Sequence, residues 1–298
     1  MTVAACYFSS EGVVLGADST STVFVTGPGG QPGLQQHYNF AQKVFEFGDP
    51  GATAGVAIWG VGSLGDVSYR TLVAEIADEA RRQSAGSLQD VAALAARMHW
   101  DQYTRAFGSF LARAGELHAK GKALTQDEAG ELAYWEQGLS GGLCLGGRWG
   151  DSRRPGAFEV LFGPLQGGPA AAQPLTLGVP KFWGCPNLID RLIFAMDGSL
   201  FQRVLSSGKW TGTPDELFAL VQQGALGHPR DLPLREAIDW IHASIYTTIK
   251  GMKFSHLAPA CGGPIEVAVI TSDRPFRWVR HKHLGEAIAA YQTKEDRP

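Results

Sequence analysis

The chain has 298 residues, 44% hydrophobic and 18% charged, a composition typical of a globular protein rather than a disordered one. Its 26 basic and 29 acidic residues leave a formal net charge of −3, which argues against binding to nucleic acid or to an anionic membrane. No stretch approaches the roughly 18 apolar residues of a transmembrane helix, and the first residues lack the basic segment of a secretion signal. The four cysteines are far apart without a CxxC pair, which argues against a disulfide framework or zinc site and predicts a cytoplasmic location.

The first 59 residues are expected to form short strands. Residues 2–9 and 12–18 are apolar runs joined by a tight turn, which predicts a β-hairpin. The Gly- and Pro-rich segment 27–36 predicts a loop. Further strands are expected at residues 20–26, 37–47 and 54–59.

Beyond residue 63 the apolar residues repeat with a helical period. Residues 64–83 predict one helix, and Ser87 can cap a second helix that runs from Leu88 to about residue 112. Residues 113–138 continue with many charges and predict a helical extension. The later expected elements are a hairpin at 141–149 and 157–163, a loop at 164–174, helices near 186–206, 214–223 and 233–251, strands at 265–271 and 276–281, and a helix near 284–292.

This order of elements lacks the βαβα alternation of a parallel, doubly wound sheet. Hairpins in two groups and helices in two groups predict an α+β fold, in which two mainly antiparallel sheets pack together and helices cover both outer faces. The expected layers are therefore α-β-β-α. No repeat and no long linker divides the chain, so we expect a single domain over 1–298 with its extension at 113–138.

One candidate motif is a GxGxxG match that begins at Gly60 and ends at Gly65. It follows a predicted strand and begins a helix, as the dinucleotide-binding fingerprint does. That fingerprint also needs a second strand that ends in an acidic residue about 20 residues later. The chain soon resumes as helix after Ser84, so nucleotide binding ranks lowest among the functions considered.

A second pattern is spread along the chain. Its pieces are Thr2 after the initiator Met, GVVLGADS at 12–19, QKVF at 42–45 and GGPIEVAVIT at 262–271. Each piece alone has an ordinary structural interpretation, such as a strand end, a solvated lysine or a turn. In this order they resemble the β-subunits of proteasomes and their bacterial homologues, within the N-terminal-nucleophile hydrolases. The resemblance covers about residues 2–84 and 141–281.

This resemblance implies a threonine endopeptidase on the α-β-β-α fold of the N-terminal-nucleophile hydrolases. Removal of Met1 would leave Thr2 with a free α-amine, which titrates near pH 8 and can take the proton of the Thr2 hydroxyl. The Lys43 ammonium would lower the pKa of that amine, and Asp18 would hold Lys43 in place.

The glycine turn would then stabilise the reaction and not a phosphate. The backbone N–H of Gly62, or of Gly60 because the turn aligns ambiguously, would form the oxyanion hole. The resemblance also implies that Thr22 binds extended substrate through its backbone.

Three positions depart from the family pattern. Ala258 stands where the family has an aspartate, and Cys185 and Cys261 stand where it has serines that help to orient the N-terminal amine. These departures motivate one alternative, a catalytically weak or inactive homologue that forms rings. Another alternative is an amidase that uses the same nucleophile on a small molecule.

The resemblance further implies peptide or unfolded-protein substrates and a homo-oligomeric ring or double ring, with neither cofactor nor metal. Whether an ATPase partner exists stays open. Trp100, Tyr103, Phe107 and Phe110 are spaced by three and four residues, so they share one helical stripe. Together with the extension at 113–138 they are expected at subunit interfaces, where aromatic residues are enriched.

Overall fold

The computed structural model describes residues 2–24, 35–48, 52–256 and 260–282. The described strands are β1 (Val3–Phe8), β2 (Gly12–Ala17), β3 (Ser21–Phe24), β4 (Gln35–Tyr38), β5 (Val44–Glu46), β6 (Ala54–Trp59), β7 (Gly141–Gly147), β8 (Gly156–Phe162), β9 (Gln173–Pro174), β10 (Lys181–Gly184), β11 (Glu266–Thr271) and β12 (Arg277–Arg280). The described α-helices are α1 (Tyr69–Arg82), α2 (Leu88–Lys120), α3 (Gln126–Leu139), α4 (Asn187–Phe194), α5 (Gly198–Ser206), α6 (Pro214–Gln222) and α7 (Leu234–Lys253).

The strands form two five-stranded antiparallel sheets and one separate hairpin. The first sheet has the order β10-β1-β2-β11-β12, and the second has the order β5-β6-β7-β8-β9. Strands β3 and β4 pair only with each other. The first hairpin predicted from the sequence is therefore β1 and β2, at the centre of the first sheet.

Three apolar layers hold the fold together. Alternate residues of β1 point to opposite faces of the first sheet. Val3 and Ala5 pack with Ile241 of α7, whereas Ala4 and Cys6 belong to the core between the sheets. Both faces of the strand are buried, which explains its nearly continuous apolar sequence.

Helices α1 and α2 cover the outer face of the second sheet. Their buried residues form one cluster with Val56 and Ile58 of β6. The architecture is thus the α-β-β-α sandwich of two antiparallel sheets that the sequence predicts, in the α+β class. No helix in the described part of the chain is both long and apolar enough to cross a membrane.

Several predicted boundaries are wrong for local reasons. The first helix begins at Tyr69 and not at residue 64, because Ser68 caps it by accepting a hydrogen bond from Thr71 N. The helix predicted at 186–206 is two helices, because Ala195 takes a left-handed backbone and Asp197 caps a new helix start.

Other differences concern short or interrupted strands. The strand predicted at 37–47 is divided into β4 and β5 by residues 39–43. The short strands β9 and β10 were not predicted. The C-terminal helix expected near 284–292 lies outside the described residues.

The predicted extension at 113–138 is a helical hairpin. It consists of the last turns of α2, a 3₁₀ turn at Gly121–Ala123 and most of α3. Ala114, Leu117 and Leu132 form its own small core, and Arg113 makes two hydrogen bonds with Glu131.

The expected aromatic stripe on α2 divides between core and surface. Tyr103 is fully buried, and its hydroxyl donates to Leu139 O at 2.9 Å. Trp100 and Phe107 pack partly against the same core, whereas Phe110 is 41% exposed. The expectation that Tyr103 lies at a subunit interface is therefore wrong, because its side chain packs inside its own subunit.

Candidate active site

Asp18 lies at the centre of the candidate site, directly after β2, with no solvent exposure. Its Oδ1 accepts hydrogen bonds from Val3 N at 3.1 Å and Lys43 Nζ at 2.8 Å. Its Oδ2 accepts from Thr20 N at 3.2 Å and Gly262 N at 2.8 Å. Four donors therefore compensate for the burial of the carboxylate.

Lys43 is buried just before β5 and is bound on two sides. Besides Asp18, its Nζ donates to Thr20 O at 2.5 Å. Ile58 N donates to Lys43 O at 2.9 Å, which ties the lysine backbone to strand β6. The charge of Lys43 is thus fixed in one place by side-chain and backbone bonds.

A cavity of about 60 Å³ borders this pair. Thr2, Lys43, Gly60 and Gly62 all line it. Thr2 is only 4% exposed, so the threonine and the lysine border the same small cavity from buried positions. The structure thus brings together Thr2, Asp18 and Lys43, which are spread over the first 43 residues of the sequence.

The glycine turn after β6 forms another wall of this cavity. Gly60 has φ +86°, and a Cβ added there would lie 2.2 Å from Ser140 O, so only glycine fits. The backbone of the turn therefore approaches the cavity without a side chain at Gly60 or Gly62. Both glycines line the cavity that Thr2 also lines, and the oxyanion role expected for their backbone N–H groups stays a prediction.

Cys185 lies next to the N-terminal strand, because Gly184 of β10 pairs with Val3 of β1. Its thiol faces the backbone N–H of Thr2. That nitrogen would become the α-amine if Met1 were removed. Burial raises the pKa of the Cys185 thiol, so the thiol stays protonated at neutral pH.

Cys261 belongs to the same apolar cluster as Cys185 and lies 3.3 Å from the sulfur of Met252. Burial raises the pKa of Cys261 to about 12, and the nearby charge of Asp18 adds to this effect. Both thiols are therefore neutral groups in apolar surroundings. Ala258, which occupies the expected aspartate position, lies outside the described residues.

Thr22 is in strand β3, and its backbone pairs with His37 of β4. Strand β3 follows directly after Thr20, whose side chain borders the cavity. Thr22 is thus two residues after Thr20 in the sequence, and its expected role in binding substrate through its backbone stays a prediction.

Several residues at the site were missed by the sequence analysis. Thr20 gives its carbonyl oxygen to Lys43, and its hydroxyl donates to Asn39 Oδ1 at 2.9 Å. Glu266 and Lys282 form a second buried ion pair close by. Thr20 follows the predicted Asp18-Ser19 motif and could have been found from it, but no sequence signal pairs Glu266 with Lys282. In the described ranges no three His, Cys, Asp or Glu side chains are grouped so as to hold a metal ion.

The chain is similar to known proteins in structure but not in sequence. No family model and no curated protein matches the sequence. Among solved structures, the chain is similar to the Anbu (Gly-1) mutant from Hyphomicrobium sp. strain MC1, with 12% identity, a TM-score of 0.47, and coverage of 97% of this chain and 94% of that one. A likeness this weak says nothing about residue roles. The class is defined by the chain itself, as an α-β-β-α sandwich with Thr2 beside a buried lysine–aspartate pair.

Proposed function

We propose that this protein is an N-terminal-nucleophile hydrolase of the proteasome β-subunit type, which cleaves peptide bonds with Thr2 after removal of Met1. One observation carries the proposal. Thr2 and Lys43 line one small cavity, while the buried Asp18 carboxylate binds both Lys43 Nζ and the backbone N–H next to Thr2.

The reaction follows from the chemistry of these groups. The Thr2 α-amine accepts the hydroxyl proton while Thr2 Oγ bonds to the scissile carbonyl carbon. The oxyanion that forms accepts hydrogen bonds from the backbone N–H of Gly62 or Gly60. The ammonium returns the proton to the leaving amine as the C–N bond breaks, and water then hydrolyses the ester on Thr2.

Lys43 acts by its charge and Asp18 by holding that charge. A positive charge a few ångströms from the α-amine lowers the pKa of that amine, so that more of it is neutral near pH 7. Removal of Asp18 would leave the Lys43 ammonium buried without its carboxylate, a state that costs several kcal/mol.

Two alternatives keep specific support. The thiols of Cys185 and Cys261 are weaker hydrogen-bonding groups than serine hydroxyls, which favours a weak or inactive homologue. The small volume of the cavity beside Thr2 is also compatible with an amidase that acts on a small molecule. Nucleotide binding at residues 60–65 lacks comparable support, because α1 is followed by α2 and not by the second strand that the fingerprint needs.

The proposal also covers the location of the protein and its assembly. We propose a single-domain cytoplasmic subunit that assembles into a homo-oligomeric ring or double ring. A closed chamber would restrict the N-terminal nucleophile to peptides and unfolded proteins. An ATPase partner would be needed only for folded substrates.

The test combines mass and activity. Intact-mass measurement should show the loss of Met1, and the purified protein should cleave members of a fluorogenic peptide library. Thr2→Ala should lower the rate about 10³-fold or more, whereas Thr104→Ala on α2 should leave it unchanged. Retention of Met1, or more than about a tenth of the rate in Thr2→Ala, would show that the chemistry is elsewhere.

A further inference from the structure

A second buried ion pair lies beside the Asp18–Lys43 pair. Glu266, the first residue of β11, has no solvent exposure, and Lys282, just after β12, is 8% exposed. Lys282 Nζ is 3.1 Å from Glu266 Oε2, and His281 Nδ1 is 2.8 Å from Glu266 Oε1. The proposed mechanism uses none of these three side chains.

Lys282 also joins the two chain segments that carry the candidate catalytic pair. Its Nζ donates to Ala41 O at 2.9 Å and lies 3.5 Å from Ser19 Oγ. Ser19 directly follows Asp18, and Ala41 precedes Lys43 by two residues. Ala41 N also donates to Ser19 O at 2.9 Å, so the ammonium reinforces an existing link between the two segments.

The pairing of β11 with β2 places Glu266 where it can bind Lys282. It pairs with Ala17 of β2, the residue before Asp18. The carboxylate that holds Lys282 therefore comes from the strand next to the one that leads into Asp18. The carboxylates of the two ion pairs therefore come from neighbouring strands of the first sheet.

Stability alone is a weak reason for such a pair. A buried ion pair can often be replaced by apolar residues of similar volume at little or no cost. Burial lowers the pKa of Lys282, while Glu266 opposes that shift. The charges of Lys43 and Arg70 lower the pKa of Lys282 further, and of these three cations Lys282 and Lys43 are buried.

We propose that Lys282, held by Glu266, is a positioning residue of the Thr2 site, which fixes the Ser19 and Ala41 segments. This inference rests on the proposed function of Thr2. Lys282 acts through the geometry of Asp18 and Lys43 and does not contact substrate.

The charged groups that face Lys282 come from three elements. They are Glu266 on β11, Lys43 before β5 and Arg70 on α1, while His281 faces the other oxygen of Glu266. Loss of the Lys282 charge would make the site less positive. The acidic limb of the kcat/KM profile, which reports the Thr2 amine, should therefore move to higher pH.

The experiment uses four variants of the full-length protein. Lys282→Met removes the charge, and Lys282→Arg keeps it. Glu266→Met with Lys282→Met replaces the whole pair by apolar side chains, in case the unpaired Glu266 of the single variant prevents folding. Lys120→Met is the matched control, because it also breaks a lysine–glutamate pair, with Glu128 in the helical hairpin.

In peptide hydrolysis, Lys282→Met and the double variant should lose about 10-fold or more in kcat with a smaller change in KM. In Lys282→Met, which leaves the Glu266 carboxylate without its ammonium, the acidic limb should move up by about 0.5 pH unit, whereas the double variant removes one charge of each sign and should keep the wild-type limb. Lys282→Arg should recover most of kcat, and Lys120→Met should match the wild type. If the double variant folds and keeps the kcat of the wild type, the inference is wrong.

Hydrogen exchange separates this inference from the function on which it rests. The amides of Ser19 and Ala41 should exchange about 10-fold faster in Lys282→Met and in the double variant, while those of β6 should not change. This holds whether or not the protein cleaves peptides. Unchanged exchange at both amides would overturn the positioning role, whereas inactivity of the wild type would overturn only the proposed peptidase.

Discussion

Gly184 lies so close to Thr2 that a side chain at position 184 would collide with the backbone of Thr2. A Cβ added to Gly184 would be 1.9 Å from Thr2 O and 2.8 Å from Thr2 C. Gly184 also has φ +80°, in the left-handed region. The end of strand β10 thus holds the candidate nucleophile through direct backbone contact, at the position just before Cys185.

This contact predicts a large effect for Gly184→Ala. The variant should lose about 3 kcal/mol in the free energy of unfolding, from strained φ and from overpacking against Thr2, and should lose activity as well. Gly208→Ala is the matched control, because Gly208 has φ +68° but no atom within 4 Å of an added Cβ. It should cost about 1 kcal/mol. Urea unfolding checks both, and equal losses would argue against the Thr2 contact.

Asp190 on α4 predicts a pH-dependent stability. Burial, and then the charge of Asp197, raise the pKa of Asp190 to about 6. The pKa of Asp190 in the folded protein lies above its unfolded value. The free energy of unfolding is therefore highest below about pH 4, where the carboxyl is protonated in both states, and it falls as the pH rises through 6.

Asp190→Asn should therefore stabilise the protein by about 1 kcal/mol at pH 8, a value reduced because the side chain is partly exposed, and should have little effect at pH 4. Urea unfolding at both pH values checks this. Asp151→Asn, which removes an exposed carboxylate from a turn, controls for the loss of one charge. A gain of equal size at both pH values would contradict the prediction.

Replacing the thiols of Cys185 and Cys261 by serine hydroxyls is expected to raise activity. Cys185→Ser with Cys261→Ser should raise kcat about 10-fold, because a hydroxyl bonds the Thr2 amine better than a thiol does. The same change should cost about 1–2 kcal/mol of stability per site, because both positions are apolar.

Cys6→Ser with Cys144→Ser is the matched control for this variant. Both thiols are fully buried in the core between the sheets, away from Thr2. This pair of changes should lower stability without raising kcat. An unchanged kcat in the Cys185 and Cys261 variant would indicate that the thiols do not limit the reaction.

The surface aromatics of the helical hairpin region predict the assembly interface. Phe110 is 41% and Tyr134 54% exposed, and the rings of both lie against Trp135, Phe110 tilted and Tyr134 edge to face. Replacing both by serine should weaken the oligomer while the fold persists, whereas Phe254→Ser, at an aromatic that is 79% exposed elsewhere, should not. Analytical ultracentrifugation measures the mass. A wild-type protein that sediments at 31.9 kDa would exclude the ring.

Local sequence signals were sufficient for most elements. The apolar runs of β1, β2 and β6 predicted buried strands because a strand covered on both faces needs apolar residues at every position. Helix α2 was predicted from Ser87, which caps it by accepting from Asp90 N. The break between α4 and α5 had a signal in Asp197 that the periodicity of 186–206 obscured, since a cap residue inside an apolar repeat is easily overlooked.

Strand β10 shows what local sequence could not supply. Its two end residues are exposed and its two middle residues are partly or fully buried, and they form a strand because β1 offers them hydrogen bonds along Val3–Cys6. The same holds for Tyr103, whose aromatic character fits an interface as well as a core. In the structure Tyr103 lies in the core, where its hydroxyl donates a hydrogen bond to Leu139 O.

The sequence by itself determined the layered fold, because strand burial and helix caps are local properties of the chain. The candidate residues Thr2, Asp18 and Lys43 were expected from the resemblance that the order of the short motifs bears to a known family. The tertiary structure alone decided which backbone amides surround the Asp18 carboxylate and that Glu266 and Lys282 lie beside it. The physical reason is that a buried charge must find its partners in space. The donors on Asp18 come from positions between Val3 and Gly262, and only the packed sheets bring them within hydrogen-bond distance.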